Sequence, residues 1–467
     1  MKFKFQVSSV VKEVSYSIIV YQLLLSIGYG RGYIVFLFRQ LALPGSQIIL
    51  NDEQKSRIAG SIGILSPLGC ILSGTLMDMF GRKLYFFVTF IPQIISWVII
   101  ALADSYEMLL YGMIIQGINL GMAFTTSTYI SEIASSTRRG ALLGGLTVSY
   151  SSGAMLCNVL MYCIPWNVVA WIYAGLSVFG MLSMLLLVES PVWLYNKGRR
   201  EIAIRALCSL RATNIDGVKN EIGDMEKNNA GKPKASIVGT MKNLLNAWKP
   251  FSIAVSLQLL FQLTGYTALF GYTIDIFDRL KLPLDSSRFT IVYAIAGVIG
   301  AACAPIFMFK MNRRTHLRST AAIMAICTIS VGVYEEIFYH SDDKPFSFIV
   351  PVAFYIFSLA CNAGVLPISY TVGTELYPSE VKGMVNGIFG ALYYITWSVI
   401  LKVYPAFLNT VHIKIIIWCY TSFCLLIILF GTFILPETKG KTLNEVQEQY
   451  FQKKKKKSKN EMHTVIE

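Results

Sequence analysis

Twelve charge-poor apolar runs, six on each side of a polar stretch, constrain this chain more than any other feature of its sequence. They occupy 14–38, 58–77, 84–103, 108–130, 141–163 and 167–188, then 251–274, 289–309, 319–339, 346–374, 384–408 and 413–435. A helix crosses a bilayer with ~20 mostly apolar residues, so each run is long enough to span. Composition agrees: 54% of residues are hydrophobic and mean hydropathy is +0.54. Only 15% are charged, against ~25% in soluble proteins. These values exclude a water-soluble enzyme and predict an all-helical, multi-pass membrane protein. The tenth run is the longest and holds Pro351 and Pro367, which predicts a bend or a broken helix. No cleavable leader is evident, so the first run is expected to act as the targeting signal.

Eight of the nine cysteines lie inside apolar runs, and no Cys-x-x-Cys or Cys/His spacing occurs. Buried cysteine behaves as a small hydrophobe, so neither a disulfide framework nor a metal site is expected. The four histidines are scattered singly. There is no Walker motif. No cofactor, metal or catalytic residue is therefore expected.

An even number of spans places both termini on one side. Of the 41 Lys and Arg, 31 fall on the terminal side and 7 on the other. By the positive-inside rule the terminal side is the cytoplasm. Four segments follow: residues 1–188 form a six-helix half, 189–249 a cytoplasmic loop, 250–435 a second six-helix half, and 436–467 a basic tail. Within the loop, Arg199 to Leu210 has helical spacing, while Met225 to Lys234 reads as a flexible polar stretch.

The halves repeat chemically. Gly81-Arg82-Lys83 follows the second run and Asn312-Arg313-Arg314 the eighth. Glu132 and Arg139 follow the fourth, Glu375 and Lys382 the tenth, at the same separation. Glu189-Ser190-Pro191 and Pro436-Glu437-Thr438 follow the sixth and twelfth. Parallel six-plus-six repeats build transporters whose solute site lies near the midplane between halves. All these charges fall on the cytoplasmic side, where carboxylate and guanidinium can latch neighbouring helices in one of two packings. The candidate gate is thus Gly74, Asp78, Gly81, Arg82, Lys83, Glu132, Arg139, Glu189, Arg313, Arg314, Glu375, Lys382 and Glu437. Gly74, one turn before Asp78, is expected to admit a close helix neighbour.

These strings resemble the sugar-porter family of the major facilitator superfamily. Gly74-Thr-Leu-Met-Asp78-Met-Phe-Gly81-Arg82-Lys83 carries the likeness first, then Tyr129-Ile-Ser-Glu132-Ile-Ala with Arg139-Gly140. Glu189-Ser190-Pro191-Val192-Trp193-Leu194 is similar to the motif after the sixth helix, with Val where Arg is usual. Pro436-Glu437-Thr438-Lys439-Gly440-Lys441-Thr442-Leu443 matches the C-terminal motif in full. Within the family the chain looks most like the insect facilitated trehalose and hexose transporters.

What the resemblance implies about the sugar site is eroded. On the seventh helix the family's Gln-Gln pair, Gly and Asn become Phe261, Gln262, Gly265 and Thr267. On the tenth, the family's Trp becomes Tyr370, with Asn362 nearby. Asn158 aligns with a sugar-contacting Gln on the fifth helix, and Tyr393 and Tyr394 replace Asn-Trp on the eleventh. Phe309 stands where the second-half gate motif has Asp. The candidate solute-binding residues are Asn158, Gln258, Gln262, Thr267, Tyr272, Asn362, Tyr370 and Tyr393. Each buried sugar hydroxyl left unpaired costs ~1–3 kcal/mol, so two lost amides weaken a hexose site unless other groups compensate.

Proton-coupled members resembling this family carry an acid in the first helix. Val14 to Phe38 holds none, and its only charge is Arg31, which favours facilitated diffusion. The expected partner is a small sugar, with the bilayer as solvent and a monomer as the assembly. The lysines Lys453 to Lys457 offer contact with anionic lipid or a solvated tail. No folded basic domain presents them to nucleic acid, so no nucleic-acid partner is expected. Two alternatives stay open: a non-transporting sugar sensor of this fold, and a transporter of a polyol or organic ion, where a pore-facing Arg31 favours an anion.

Overall fold

The computed structural model describes residues 8–135, 137–230, 248–282, 284–338, 344–375 and 382–437. The first six spans are Ser9–Leu41, Asp52–Phe80, Arg82–Ala101, Tyr106–Ile133, Arg139–Cys163 and Trp166–Leu186. Short helices Pro191–Asn196, Arg200–Arg211 and Lys219–Ala230 follow. The last of these runs through Met225 to Ala230, part of the stretch that reads as flexible in the sequence. The rest of that stretch lies outside the described residues.

The seventh span is a correction to the single run expected there. It is three pieces, Trp248–Leu263, Tyr266–Gly271 and Thr273–Arg279. Gly265 takes φ +87 at the first break, a left-handed conformation that glycine alone adopts without strain. Spans eight to twelve are Ser286–Lys310, Arg313–Phe338, Ile349–Val372, Lys382–Thr410 and Ile413–Phe433.

The tenth span, expected to bend or break, is interrupted by an irregular turn. Residues Cys361–Val365 form a π-turn immediately before Pro367. Proline has no N–H to donate to Ala363 and its ring crowds that carbonyl; the wider turn takes up the mismatch. Pro351 sits in the first turn, where no donor is missed.

Ten described helices are long and apolar enough to cross a membrane. The other two spans fall short for local reasons: the fifth is diluted by Gly144, Gly145, Ser149, Ser151 and Ser152, and the seventh is broken. Outward faces carry apolar stripes at helical spacing, such as Leu84, Val88, Ile91 and Ile95, which suit lipid and would aggregate in water. The halves meet along two seams, span two on span eleven and span five on span eight. Inside each half, span one packs on five, two on four, three on six, and nine on twelve. The site lies where the seams converge.

Candidate functional site

Span one carries Gly28-Tyr29-Gly30-Arg31-Gly32, and the glycines decide how close it comes to its neighbours. A Cβ at Gly28 would stand 2.2 Å from the Tyr150 carbonyl oxygen, and one at Gly32 2.7 Å from that of Ala154. A Cβ at Gly30 would stand 2.7 Å from Gln116 Nε2. Absent side chains thus let span one lie against spans five and four. Tyr29 stacks on Tyr173 with ring centroids 4.2 Å apart. This close packing holds Arg31 in the middle of the molecule, 7% exposed.

Arg31 Nη1 donates to Tyr150 Oη at 2.8 Å. Its guanidinium lies 4.1 Å from the Phe270 ring centroid, 5.3 Å from that of Tyr266 and 5.5 Å from that of Tyr150. Three adjoining cavities share Arg31 as a wall. The first is lined by Gln116, Asn119 and Tyr150 from the first half and Tyr393, Tyr394 and Trp397 from the second. The next is reached by Ser151, Tyr266, Ser358 and Asn362, the third by Thr267 and Trp397. No carboxylate lines any of the three.

The candidate binding residues divide. Thr267, Asn362 and Tyr393 reach the cavities, and Tyr370 packs behind Tyr393 at 5.3 Å between centroids. Asn362 accepts from Tyr266 Oη at 3.1 Å and donates to the Ser358 carbonyl at 2.8 Å. Gln262 is buried but internally paired: Nε2 donates to the Tyr393 carbonyl at 3.3 Å and Oε1 accepts from Thr267. Gln258 donates to the Phe389 carbonyl at 3.5 Å, leaving Oε1 without a partner. Asn158 is buried between spans five and one, near Gly32, with Oδ1 unpartnered. Tyr272 Oη donates to the Leu401 carbonyl at 2.8 Å and its ring packs on Tyr404. Among these, Asn158, Gln258, Gln262, Tyr272 and Tyr370 do not line the cavities. Gln116, Asn119, Tyr150, Tyr266 and Phe270 do, and sequence reasoning missed them. The one available signal was the glycine-flanked Arg31, a charge inside an apolar run.

At one end of the helix bundle the repeated motifs assemble. Gly81 takes φ +87, and the carboxylate of Glu189 accepts from the Arg82 and Lys83 backbone N–H groups at 2.8 and 3.2 Å. Glu437 does the same for Arg313 and Arg314 at 2.9 and 3.1 Å. Each half therefore closes a helix N-terminus with the carboxylate that follows its last span. The guanidinium of Arg82 grips Glu132 with two bonds, 2.9 and 2.8 Å, and meets Asp78 at 3.1 Å. Lys83 Nζ reaches the Leu185 carbonyl.

Two expectations change here. Arg139 is exposed at the start of span five, and its neighbour Arg138 makes the ion pair instead. No described atom lies within 4 Å of a Cβ built on Gly74, because the face it occupies opens onto space; close approach occurs at Gly69, against the Ile118 carbonyl. Glu375 ends helix Leu366–Glu375 and Lys382 begins the next, but their side chains lie outside the described set, as do Thr438 to Leu443 and Lys453 to Lys457.

Sequence reasoning also missed Glu13. It is fully buried at the start of span one and pairs with Arg138 at 2.8 Å and Arg211 at 2.7 Å. Arg211 in turn holds Glu221 at 2.8 Å, tying two loop helices to the bundle. The partners are 125 and 198 residues away in sequence, so no local pattern announces them.

Two packed sets of six helices, a cavity walled by both, and matched charged caps at one end define a two-half, multi-pass helical membrane protein. Residues 17–450 match the family described as Sugar (and other) transporter, and the chain belongs to that family. It is 26% identical over 85% of its length to the facilitated trehalose transporter Tret1 of Anopheles gambiae, and 27% identical over 85% to that of Aedes aegypti. The chain spans about half the length of these two relatives, 51% and 50%. It covers 78% of the Culex quinquefasciatus Tret1, at 27% identity. Among solved structures, the major facilitator superfamily proton:xylose symporter XylE with bound 6-bromo-6-deoxy-D-glucose superposes at TM-score 0.78. That match has 20% identity and covers 95% of this chain and all of that one. The inward-open xylose transporter XylE from E. coli gives 0.75 at 17% identity, covering 94% and 99%. The fold is that of the major facilitator superfamily.

Proposed function

We propose that this protein is a facilitative transporter that carries a sugar of the hexose to trehalose class by alternating access. The cavity carries the reading: its walls come from both halves, so rocking one half on the other exposes the same residues to each side in turn. Aromatic walls offer faces on which a pyranose ring stacks, and Gln116, Asn119, Tyr150 and Asn362 offer hydrogen bonds to its hydroxyls. The cavity linings hold no carboxylate to carry a proton, and buried Glu13 is clamped by two arginines, which supports uniport. The names of the insect relatives support a sugar as cargo. Membership of the sugar-transporter family supports a plasma-membrane location, and the charge distribution supports placing the motif end and both termini in the cytoplasm.

The test is uptake of labelled glucose and trehalose by cells lacking their own sugar porters, with surface expression measured in parallel. Saturable uptake unaffected by a protonophore is expected. Uptake abolished by the protonophore would overturn uniport. No uptake of any sugar by a well-expressed protein would overturn transport.

A further inference from the structure

The geometry points to a solute that is charged: we infer that the cavity is built for a sugar acid, a hydroxylated ring bearing a carboxylate, with Arg31 as the carboxylate's receptor. This rests on the transport reading and extends its cargo from neutral sugars to a charged one.

A guanidinium has five N–H donors and keeps its proton in proteins. Arg31 uses one nitrogen, Nη1, on Tyr150. Nε and Nη2 are buried and bond nothing, and Arg31 enters none of the ion pairs among the described residues. These two nitrogens share one edge of the group, the edge with which arginine holds a carboxylate through two parallel bonds. A buried cation with no counter-ion is unfavourable. Phe270, Tyr266 and Tyr150 offset part of this through their ring faces, but they leave the donor edge unfilled. An oxyanion entering the cavity fills it.

The rest of the cavity fits a hydroxylated ring on that anion. Asn119, which lines the same cavity as Arg31, also carries a buried oxygen, Oδ1, without a partner. It is an acceptor, so it calls for a hydroxyl and not for a second anion. Trp397, Tyr393 and Tyr394 supply apolar faces beside it. Residues bearing an orphaned donor pair and an orphaned acceptor line one aromatic chamber, which suits a carboxylate and a hydroxyl on a single small body.

The experiment uses the full-length protein in lipid vesicles and in detergent, with D-glucuronate, D-glucose and inorganic phosphate as probes. Labelled glucuronate should enter the vesicles saturably and be displaced poorly by glucose or phosphate. Arg31→Gln should weaken glucuronate uptake at least about tenfold more than it weakens glucose uptake, the loss of a charged hydrogen-bonded pair. Arg31→Lys keeps the charge and loses the two-bond grip, so it should fall between. Equal handling of glucose and glucuronate by the wild type overturns the proposal, as does an Arg31→Gln variant that loses both alike. Phosphate competing as well as glucuronate overturns the sugar part. Should Arg31→Gln not fold, the wild-type preference among the three probes decides. If nothing crosses the vesicles yet glucuronate alone raises the unfolding temperature in detergent, the transport reading fails and the anion site stands.

Discussion

Arg82 meets two carboxylates, and their burial separates what each contributes. Glu132 is 12% exposed and grips the guanidinium with two bonds, whereas Asp78 is 73% exposed. Removing one partner of a buried pair leaves an uncompensated charge and costs ~3–5 kcal/mol; an exposed pair contributes ~0–1 kcal/mol. Glu132→Ala should therefore destabilise the purified protein by about 3 kcal/mol or more, and Asp78→Asn should leave unfolding in detergent nearly unchanged. Comparable losses from both would mean that Asp78 is shielded where the structure exposes it. Glu132, Arg82, Glu189 and Glu437 were legible in the sequence because the motif repeats in both halves. Their roles were less so. Glu189 and Glu437 bond backbone N–H groups, a use that a pattern of opposite charges cannot distinguish from an ion pair. Glu13 and Arg138 were hidden altogether, since a single carboxylate beside an apolar run looks like a topology marker.

At the scale of the element, apolar runs announced every span, but not its internal breaks. Pro367 signalled the irregular turn in span ten because a missing donor is a local fact. The break in span seven depends on Gly265, whose backbone turns left-handed and whose missing Cβ makes room for the Tyr420 ring, 2.6 Å from where one would stand. Glycine in an apolar helix is common, so the residue alone does not reveal the break; its φ and its neighbour do. Gly265→Ala is expected to strain the backbone by ~1–2 kcal/mol and to push Tyr420 aside. The following turn carries Tyr266, Thr267 and Phe270 to the cavity. Solute affinity should thus drop by about tenfold for each 1.4 kcal/mol the strain transmits, with surface expression near normal. Equilibrium binding in detergent reads this directly, and unchanged affinity would separate the break from the site.

For the whole molecule, the seam between spans two and eleven shows which end is shut. A Cβ at Gly63 would stand 2.3 Å from Ser398 Cβ and 2.9 Å from the Tyr394 carbonyl oxygen. One at Gly60 would stand 3.0 Å from Lys402 Cβ. Ser56 and Ser398 both donate across the seam, to the carbonyls of Lys402 and Gly60, and Arg39 of span one approaches Asp285, just before span eight, at 3.7 Å. Further along, a Cβ on Gly387 reaches only van der Waals contact with the Cys70 carbonyl, at 3.5 Å, and Gly74 faces open space. The seam is therefore tight at the end remote from the motifs and widens toward them. Helices that touch through glycine cannot close over a larger side chain, because packed interfaces choose between arrangements and do not deform smoothly. Gly63→Leu should wedge the tight end apart and shift the population to the state open there. Hydrogen–deuterium exchange should rise in the peptides 52–63 and 397–410 while the Arg82–Glu132 end becomes more protected. A variant whose exchange rises at both ends has lost packing and has not switched state; one unchanged at both ends would show that the glycine contact does not hold the seam closed.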